Sequence, residues 1–400
     1  MAACFVWHVC YDDRKARTIV IAAGVLQQLL PLLHSPVESR AALAAAAVWN
    51  IATDGGNGQL QRMVVQAGLV PGLVAMLDHA RPRAAHYAAG ALQNIASSAH
   101  GQKEALVEAK ALPRLVQLLR ESTDSRTADA AAGTICNISA SLKPATKEAV
   151  MSSGVLAPLV GCLHATSGRT AEMAAGAMWN ISVGSASRTN AVAISGSLPL
   201  LEKMLHSTRG REAENAAGAF WNLLQGDQAL QTHIVGSTDS IRHLTTMLDS
   251  SKPGEAQNAA GALWAACRGA SAGRRAVLHR GALPKLVRLL ECPRLNTARL
   301  AAGVLWALAA GEADAKTAMV GFGAIPLLVR LLTAITAQGG NAGAPVAAAL
   351  VAIGKDLIVK QKMEKEVADA ASRAADQKIP MAQALLIELK GGGCFGCVMC

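Results

Sequence analysis

The sequence predicts an all-α solenoid of about eight three-helix units, and three observations predict it. A phrase of the form Ala-Ala-Gly-Ala-x-x-Asn recurs with its last residue at Asn50, Asn94, Asn137, Asn180 and Asn222, at steps of 44, 43, 43 and 42 residues. A second phrase, Gly-(small or apolar)-(Leu/Ile/Val)-Pro, interleaves with it at Gly68, Gly154, Gly196, Gly281 and Gly323, with Gly24, Lys110 and Asp239 in the same place elsewhere. Hydrophobic residues make up 52% of the chain and aromatics 3%, so the buried mass is Ala, Leu and Val, the residues of closely packed helices. Self-similarity at such a period is the mark of stacked supersecondary units.

Taken in order, Ala2-Ala-Cys-Phe-Val-Trp-His8 matches the first phrase, with His8 lying 42 residues before Asn50. Residues 1–12 therefore read as a third helix left over from a truncated upstream unit, since Phe5, Val6, Trp7 and Val9 are too apolar for a capping turn. Residues 13–354 carry the units. In each, a Gly suits a left-handed helix stop and a Pro (Pro71, Pro113, Pro199, Pro284, Pro326) suits the first turn of the helix that follows. The register continues through Ala259-Ala-Gly-Ala-Leu-Trp-Ala265 and Ala301-Ala-Gly-Val-Leu-Trp-Ala307, where Ala stands in place of Asn. The small residue four before each Asn (Ala46, Gly90, Gly133, Gly176, Gly218) lets neighbouring units approach closely, so that stacking builds one core. Residues 355–390 read as a helical C-terminal cap and 391–400 as a flexible Gly/Cys tail.

Several function classes find no support. Lys and Arg outnumber Asp and Glu by 38 to 28, a net charge of +10, which favours acidic partners and keeps the chain a monomer. The basic residues are spread over the whole length without aromatic interleaving, which speaks against nucleic acid. No apolar stretch reaches the roughly 20 residues needed to span a bilayer. Six scattered cysteines without pair spacing read as buried thiols of a reducing compartment. Gly269-Ala-Ser-Ala-Gly273 fits the nucleophile-elbow spacing but lacks a preceding strand. The sequons at Asn137 and Asn180 lie on helices of a chain with no secretory signal. His34, His164 and His206 share a place near the end of the second helix, where a cationic ring suits the helix dipole. No catalytic, metal or cofactor site is expected.

A three-helix unit repeating every 42 to 44 residues resembles the armadillo family over residues 13–354, which implies a right-handed superhelical scaffold that binds proteins along a concave groove. In that family the Asn ladder hydrogen-bonds the backbone of an extended peptide, a role the resemblance places on Asn50, Asn94, Asn137, Asn180 and Asn222. The residues themselves allow a second reading, a buried amide tying one helix to the next. The chain departs from importin-α, which carries Trp four places before the Asn. Here Trp49, Trp179, Trp221, Trp264 and Trp306 stand one place before the Asn or its replacement, a position suited to packing between units. A nuclear-import carrier is disfavoured, and the resemblance is closer to β-catenin, to plant armadillo proteins and to the lipid-anchored armadillo protein of the vacuole. A rival is the substrate-binding part of a ubiquitin ligase whose U-box preceded the repeats.

Counting back from each Asn at helical spacing gives the face toward the groove. Eleven before lie Arg83, Arg126, Arg169 and Arg211, and eight before lie His86, Asp129, Glu172 and Glu214. Three of the arginines thus have an acid at i+3 and could form surface ion pairs. A column of four near helix N-termini, against the dipole, points instead to carboxylates or phosphates on a bound chain. Finally, Cys397-Val-Met-Cys400 fits the C-a-a-X prenylation pattern behind a Gly391-Gly-Gly hinge, with Cys394 a candidate for palmitoylation. The reading is a cytoplasmic scaffold tethered to the cytoplasmic face of a membrane, with the nucleus left open.

Overall fold

The structure, a computed structural model, describes all residues except 1, 12, 54–57, 79, 99–100, 123, 166–167, 238, 270, 339–342, 355–362, 380–381 and 390–400. Among the described residues the secondary structure is helical, with no strand. Eight three-helix repeats run in sequence. The first consists of Arg14–Ala22, Val25–Leu33 and Glu38–Ile51, and the third helices of the next four are Pro82–Ala96, Ser125–Ser139, Gly168–Ser182 and Glu212–Leu223. Those of repeats six to eight are Pro253–Arg268, Leu295–Gly311 and Ala344–Ile353. The chain divides into two compact bodies, residues 1–201 with 208–215 and residues 202–207 with 216–400, the division falling inside repeat five.

In the first body, Ala2–Val9 packs on Glu38–Ile51 as a third helix would, and each third helix from Glu38–Ile51 to Gly168–Ser182 packs on the next. In the second, Pro253–Arg268, Leu295–Gly311 and Ala344–Ile353 stack in the same way. The faces that meet are alanine-rich: Ala84, Ala85, Ala88 and Ala89 of one third helix and Ala131 and Ala132 of the next are fully buried. Small side chains let the helix axes approach, so burial is gained from backbone and methyl contacts rather than from large residues. The helix stops read from the sequence have the conformation that Gly permits. Gly24, Gly68, Gly154, Gly196, Gly281 and Gly323 have φ between 70° and 87°, and Lys110 holds the same left-handed geometry at φ 58° without a glycine. Asp239 does not, with φ −83°.

A second set of ties was not legible in the repeat phrases. One residue of the first helix in six of the repeats donates to the carbonyls at the ends of third helices, which no intrahelical N–H can satisfy. Arg17 reaches Cys10 O at 2.8 Å and Thr53 O at 2.5 Å, and Gln61 reaches Ala52 O at 2.8 Å. Lys147 Nζ lies 2.6 Å from Asn180 O, and Arg188 Nε 2.9 Å from Ile181 O. In the second body Gln231 donates to Ala265 O at 2.8 Å and Arg274 to Cys267 O at 3.3 Å. Arg17, Lys147 and Gln231 each reach third-helix ends of two adjacent repeats.

Toward the C-terminus, Glu364–Asp376 packs on Ala324–Ala337, and Ala382–Leu389 packs on Ala344–Ile353. Val367, Ala371, Ala374 and Leu385 are buried there. No single helix among the described residues is long and apolar enough to cross a membrane.

Candidate functional site

The asparagine ladder is built in the third helices, where a 3.6-residue period puts Asn and the residue before it on adjacent parts of one face. Each amide donates to the carbonyl just before the preceding repeat's ladder position. Asn50 Nδ2 lies 2.8 Å from Trp7 O, Asn94 Nδ2 3.2 Å from Trp49 O and 2.8 Å from Thr53 Oγ1. Asn137 Nδ2 lies 3.0 Å from Gln93 O, and Asn180 Nδ2 3.2 Å from Cys136 O. The helix-to-helix tie is thus present in the first body. All four side chains are half-buried; Asn94 spends both amide protons within the chain, whereas Asn50 and Asn137, with one donor engaged, keep a second N–H and an acceptor oxygen for another chain. Asn222 is likewise half-buried and bonded.

In five instances the residue before the ladder position rests on the glycine of the following repeat. A Cβ placed on Gly90 would lie 2.9 Å from the Trp49 indole, one on Gly261 2.4 Å from that of Trp221, and one on Gly303 2.7 Å from that of Trp264. Gln93 and Cys136 occupy the same place over Gly133 and Gly176. The tryptophans therefore pack between repeats, half-exposed beside the ladder. Burial pushes the Cys136 thiol up to about 11, so it stays protonated at neutral pH and is no nucleophile.

The arginine column lies on the surface: Arg83, Arg126, Arg169 and Arg211 are exposed. Only one of the three i+3 pairings forms as spaced, Arg211 with Glu214 at 2.5 Å. Arg126 turns back to Asp124 at 3.5 Å, and Arg83 and Arg169 have no ion-pair partner among the described residues. The acids at Asp129 and Glu172 serve the next repeat instead. Asp129 accepts from the Thr170 hydroxyl, and Glu172 from the Arg211 backbone N–H at 3.1 Å. A carboxylate at the start of the next third helix meets the positive end of its dipole, which outweighs an exposed ion pair.

Of the three histidines assigned to helix ends, His34 and His164 stand at the residue after the second helix. His206 does more. Its Nε2 lies 3.1 Å from Nε2 of buried His243, and burial, then the nearby His206 and Arg242, push His243 down to about 4. Nothing in the repeat spacing pairs those rings. Cys394 and Cys397 lie outside the described residues.

Comparison with known families matches the armadillo/β-catenin-like repeat at residues 59–97, 99–140 and 143–183. No curated protein sequence matches the chain. Among solved structures, an engineered protein is 28% identical with a TM-score of 0.85, covering 98% of this chain and 95% of its own. A designed armadillo repeat protein in complex with the peptide (KR)4 is 27% identical with a TM-score of 0.54, covering 60% of this chain and 98% of its own. Computationally designed armadillo repeat proteins for modular peptide recognition are 28% identical with a TM-score of 0.55, covering 60% and 99%. The stacked third helices and these matches give the chain the fold of an armadillo-repeat solenoid, with the repeat family itself matched between residues 59 and 183.

Proposed function

We propose that the chain is a protein-binding scaffold whose first body receives extended, acidic segments along the face carrying Asn50, Asn94, Asn137 and Asn180, with Asn222 offering the same amide in the second body. The observation that carries the reading is the spare hydrogen-bonding capacity of Asn50 and Asn137 beside Arg83 and Arg169, which are exposed and form no ion pair among the described residues. An extended backbone lacks partners for its own N–H and C=O groups, and amides at a regular step supply both. Exposed Arg83 and Arg169 supply charge that steers and orients an acidic segment. The designed relatives recognise peptides, one of them a basic peptide, so the sign of the charge is the point to test.

A fluorescent peptide of alternating Glu and Gly is expected to bind at about 50 mM salt and to weaken at least fivefold by about 300 mM. Arg126→Glu/Arg169→Glu weakens it further. Tighter binding of (KR)4 than of the acidic peptide would reverse the assignment.

Asn137→Ala/Asn180→Ala/Asn222→Ala is expected to abolish binding of the acidic peptide. Because the amides of Asn137 and Asn180 also tie helices, stability falls too, by about 1 kcal/mol per tie lost. Gln61→Ala, which removes a buried brace to Ala52 O, is the control. It lowers the urea midpoint by about the worth of one tie and leaves binding intact, whereas equal loss of binding in both variants would make the ladder purely structural.

The C-terminal Cys397-Val-Met-Cys400 motif supports a membrane tether by prenylation, with Cys394 as second lipid site. An N-terminal fluorescent fusion is expected to partition to membranes and to lose this with Cys397→Ser. Identical partition of the two forms removes the tether.

A further inference from the structure

The second body contains a cavity of about 540 Å³ lined by Gln257, Arg294, Leu295, Asn296, Arg299, Ile335 and Gln338. It lies where the third helices of repeats six and seven meet the end of the second helix of repeat eight, Ala324–Ala337. We infer that this cavity of the second body is an anion pocket that takes a phosphorylated side chain of a protein segment, an inference resting on the segment-binding reading above.

The pocket departs from the pattern of the earlier repeats at the position eight before the ladder residue. Asp129 and Glu172 stand there in repeats three and four and send their carboxylates to the first turn of the next third helix. In repeat six the position is Gln257, a neutral amide, and in repeat seven it is Arg299. Leu295–Gly311 therefore starts without a carboxylate: its first turn holds no acidic residue, and its N-cap, Arg294, makes no side-chain capping bond. Seventeen residues of aligned peptide dipoles end there on a positive pole.

Arg294 and Arg299 line the cavity, and no carboxylate of the described residues does. Neither Arg294 nor Arg299 has an ion-pair partner among the described residues. Arg299 Nε is buried and has no acceptor. A buried N–H without an acceptor is costly, and like-charged guanidiniums around a helix N-terminus repel one another until an anion enters. A phosphate suits this better than a carboxylate. It brings close to two charges and three acceptor oxygens, enough for two forked guanidiniums and the helix N-terminus at once. The side chains of Leu295 and Ile335 give the carbon stem of a phosphorylated residue an apolar wall, and Gln257, Asn296 and Gln338 donate without adding charge.

The test uses the full chain, ¹⁵N-labelled at arginine, with N-acetyl-phosphoserine amide as probe and the Nε–H signals of Arg294 and Arg299 as readout. Both signals are expected to shift saturably, with affinity at least tenfold above that of N-acetyl-glutamate amide and at least threefold above that of inorganic phosphate. Arg299→Gln weakens binding at least fivefold. Gln257→Glu, which restores the carboxylate of the earlier repeats, abolishes it while the circular dichroism spectrum stays that of the wild type. Equal affinity for the glutamate amide or for inorganic phosphate, unsaturable shifts, or wild-type binding by Gln257→Glu would each overturn the pocket. The triple Asn variant is expected to bind the probe like wild type, because a single residue does not need the ladder. Failure of the acidic peptide to bind while the probe saturates would therefore count against the groove and not the pocket.

Discussion

Gly261→Ala is expected to destabilise the protein by about 1–2 kcal/mol, although the same exchange in an open helix would stabilise it. The added methyl would stand 2.4 Å from the Trp221 indole, far inside contact distance, so the ring or the helix must shift, at a cost of about 1–3 kcal/mol. Alanine's better helix propensity offsets up to about 1 kcal/mol of this. Gly303→Ala, against Trp264 at 2.7 Å, behaves alike, and because Trp264 sits on the same helix as Gly261 the losses of the double variant are not simply additive. Gly133→Ala meets only the far end of the Gln93 side chain, which can swing away, so its cost is much smaller. Gly161, inside Leu156–Leu163 with nothing within 4 Å of its Cβ position, gains up to about 1 kcal/mol as Ala. Urea denaturation ranks the four. Trp221→Leu added to Gly261→Ala recovers most of the loss. A Gly261→Ala midpoint at or above wild type would mean that the indole is not seated on the glycine.

That result bears on how far the chain could be read without coordinates. The repeat was legible because its punctuation is chemical: a glycine that takes a left-handed turn, a proline tolerated in a first helical turn, and a glycine under a large side chain recur at a fixed step. The packing role of the tryptophans followed from their place one residue before the Asn. Charge was less legible. An i+3 acid looks like a partner for the arginine before it, yet Asp129 and Glu172 reach forward to another helix, and sequence spacing within one helix cannot show what a neighbouring helix terminus offers. The ladder residues admit both readings from sequence, and the tie uses one amide proton in Asn50 and Asn137 but both in Asn94. Arg17, Lys147, Arg188 and Gln231 share a place but not a residue type, since an amide, an ammonium and a guanidinium all satisfy a carbonyl. A motif search keyed on identity passes over them. His206, in the turn after Leu198–Met204, and His243, on Ser240–Met247, belong to successive repeats and share no place in the repeat phrases.

Acidification from pH 7.5 to 4.5 is expected to cost wild type about 2–3 kcal/mol more than it costs His243→Gln. His243 is 6% exposed, and its environment disfavours the imidazolium in the order burial, His206, Arg242, against the partial support of Asp239. In the folded chain it is pushed down to about 4, from an ordinary value of 6.5. Between those two pH values the unfolded chain binds the proton and the folded chain does not, so protons pull the equilibrium toward unfolding. The contribution is at its full benefit above pH 6.5 and is lost as pH falls toward 4. Two and a half units correspond to about 3 kcal/mol at the limit, most of it spent by pH 4.5. The geometry gives the same sign independently: at 3.1 Å between Nε2 atoms one ring must accept from the other, and a doubly protonated pair has two donors and no acceptor. Glutamine keeps both a donor and an acceptor for His206 and carries no titratable charge, so its stability should respond to pH only through the rest of the chain. Urea midpoints of both proteins at pH 7.5 and 4.5 provide the comparison. Parallel losses in the two would show that His243 takes up its proton in the folded protein as readily as in the unfolded one.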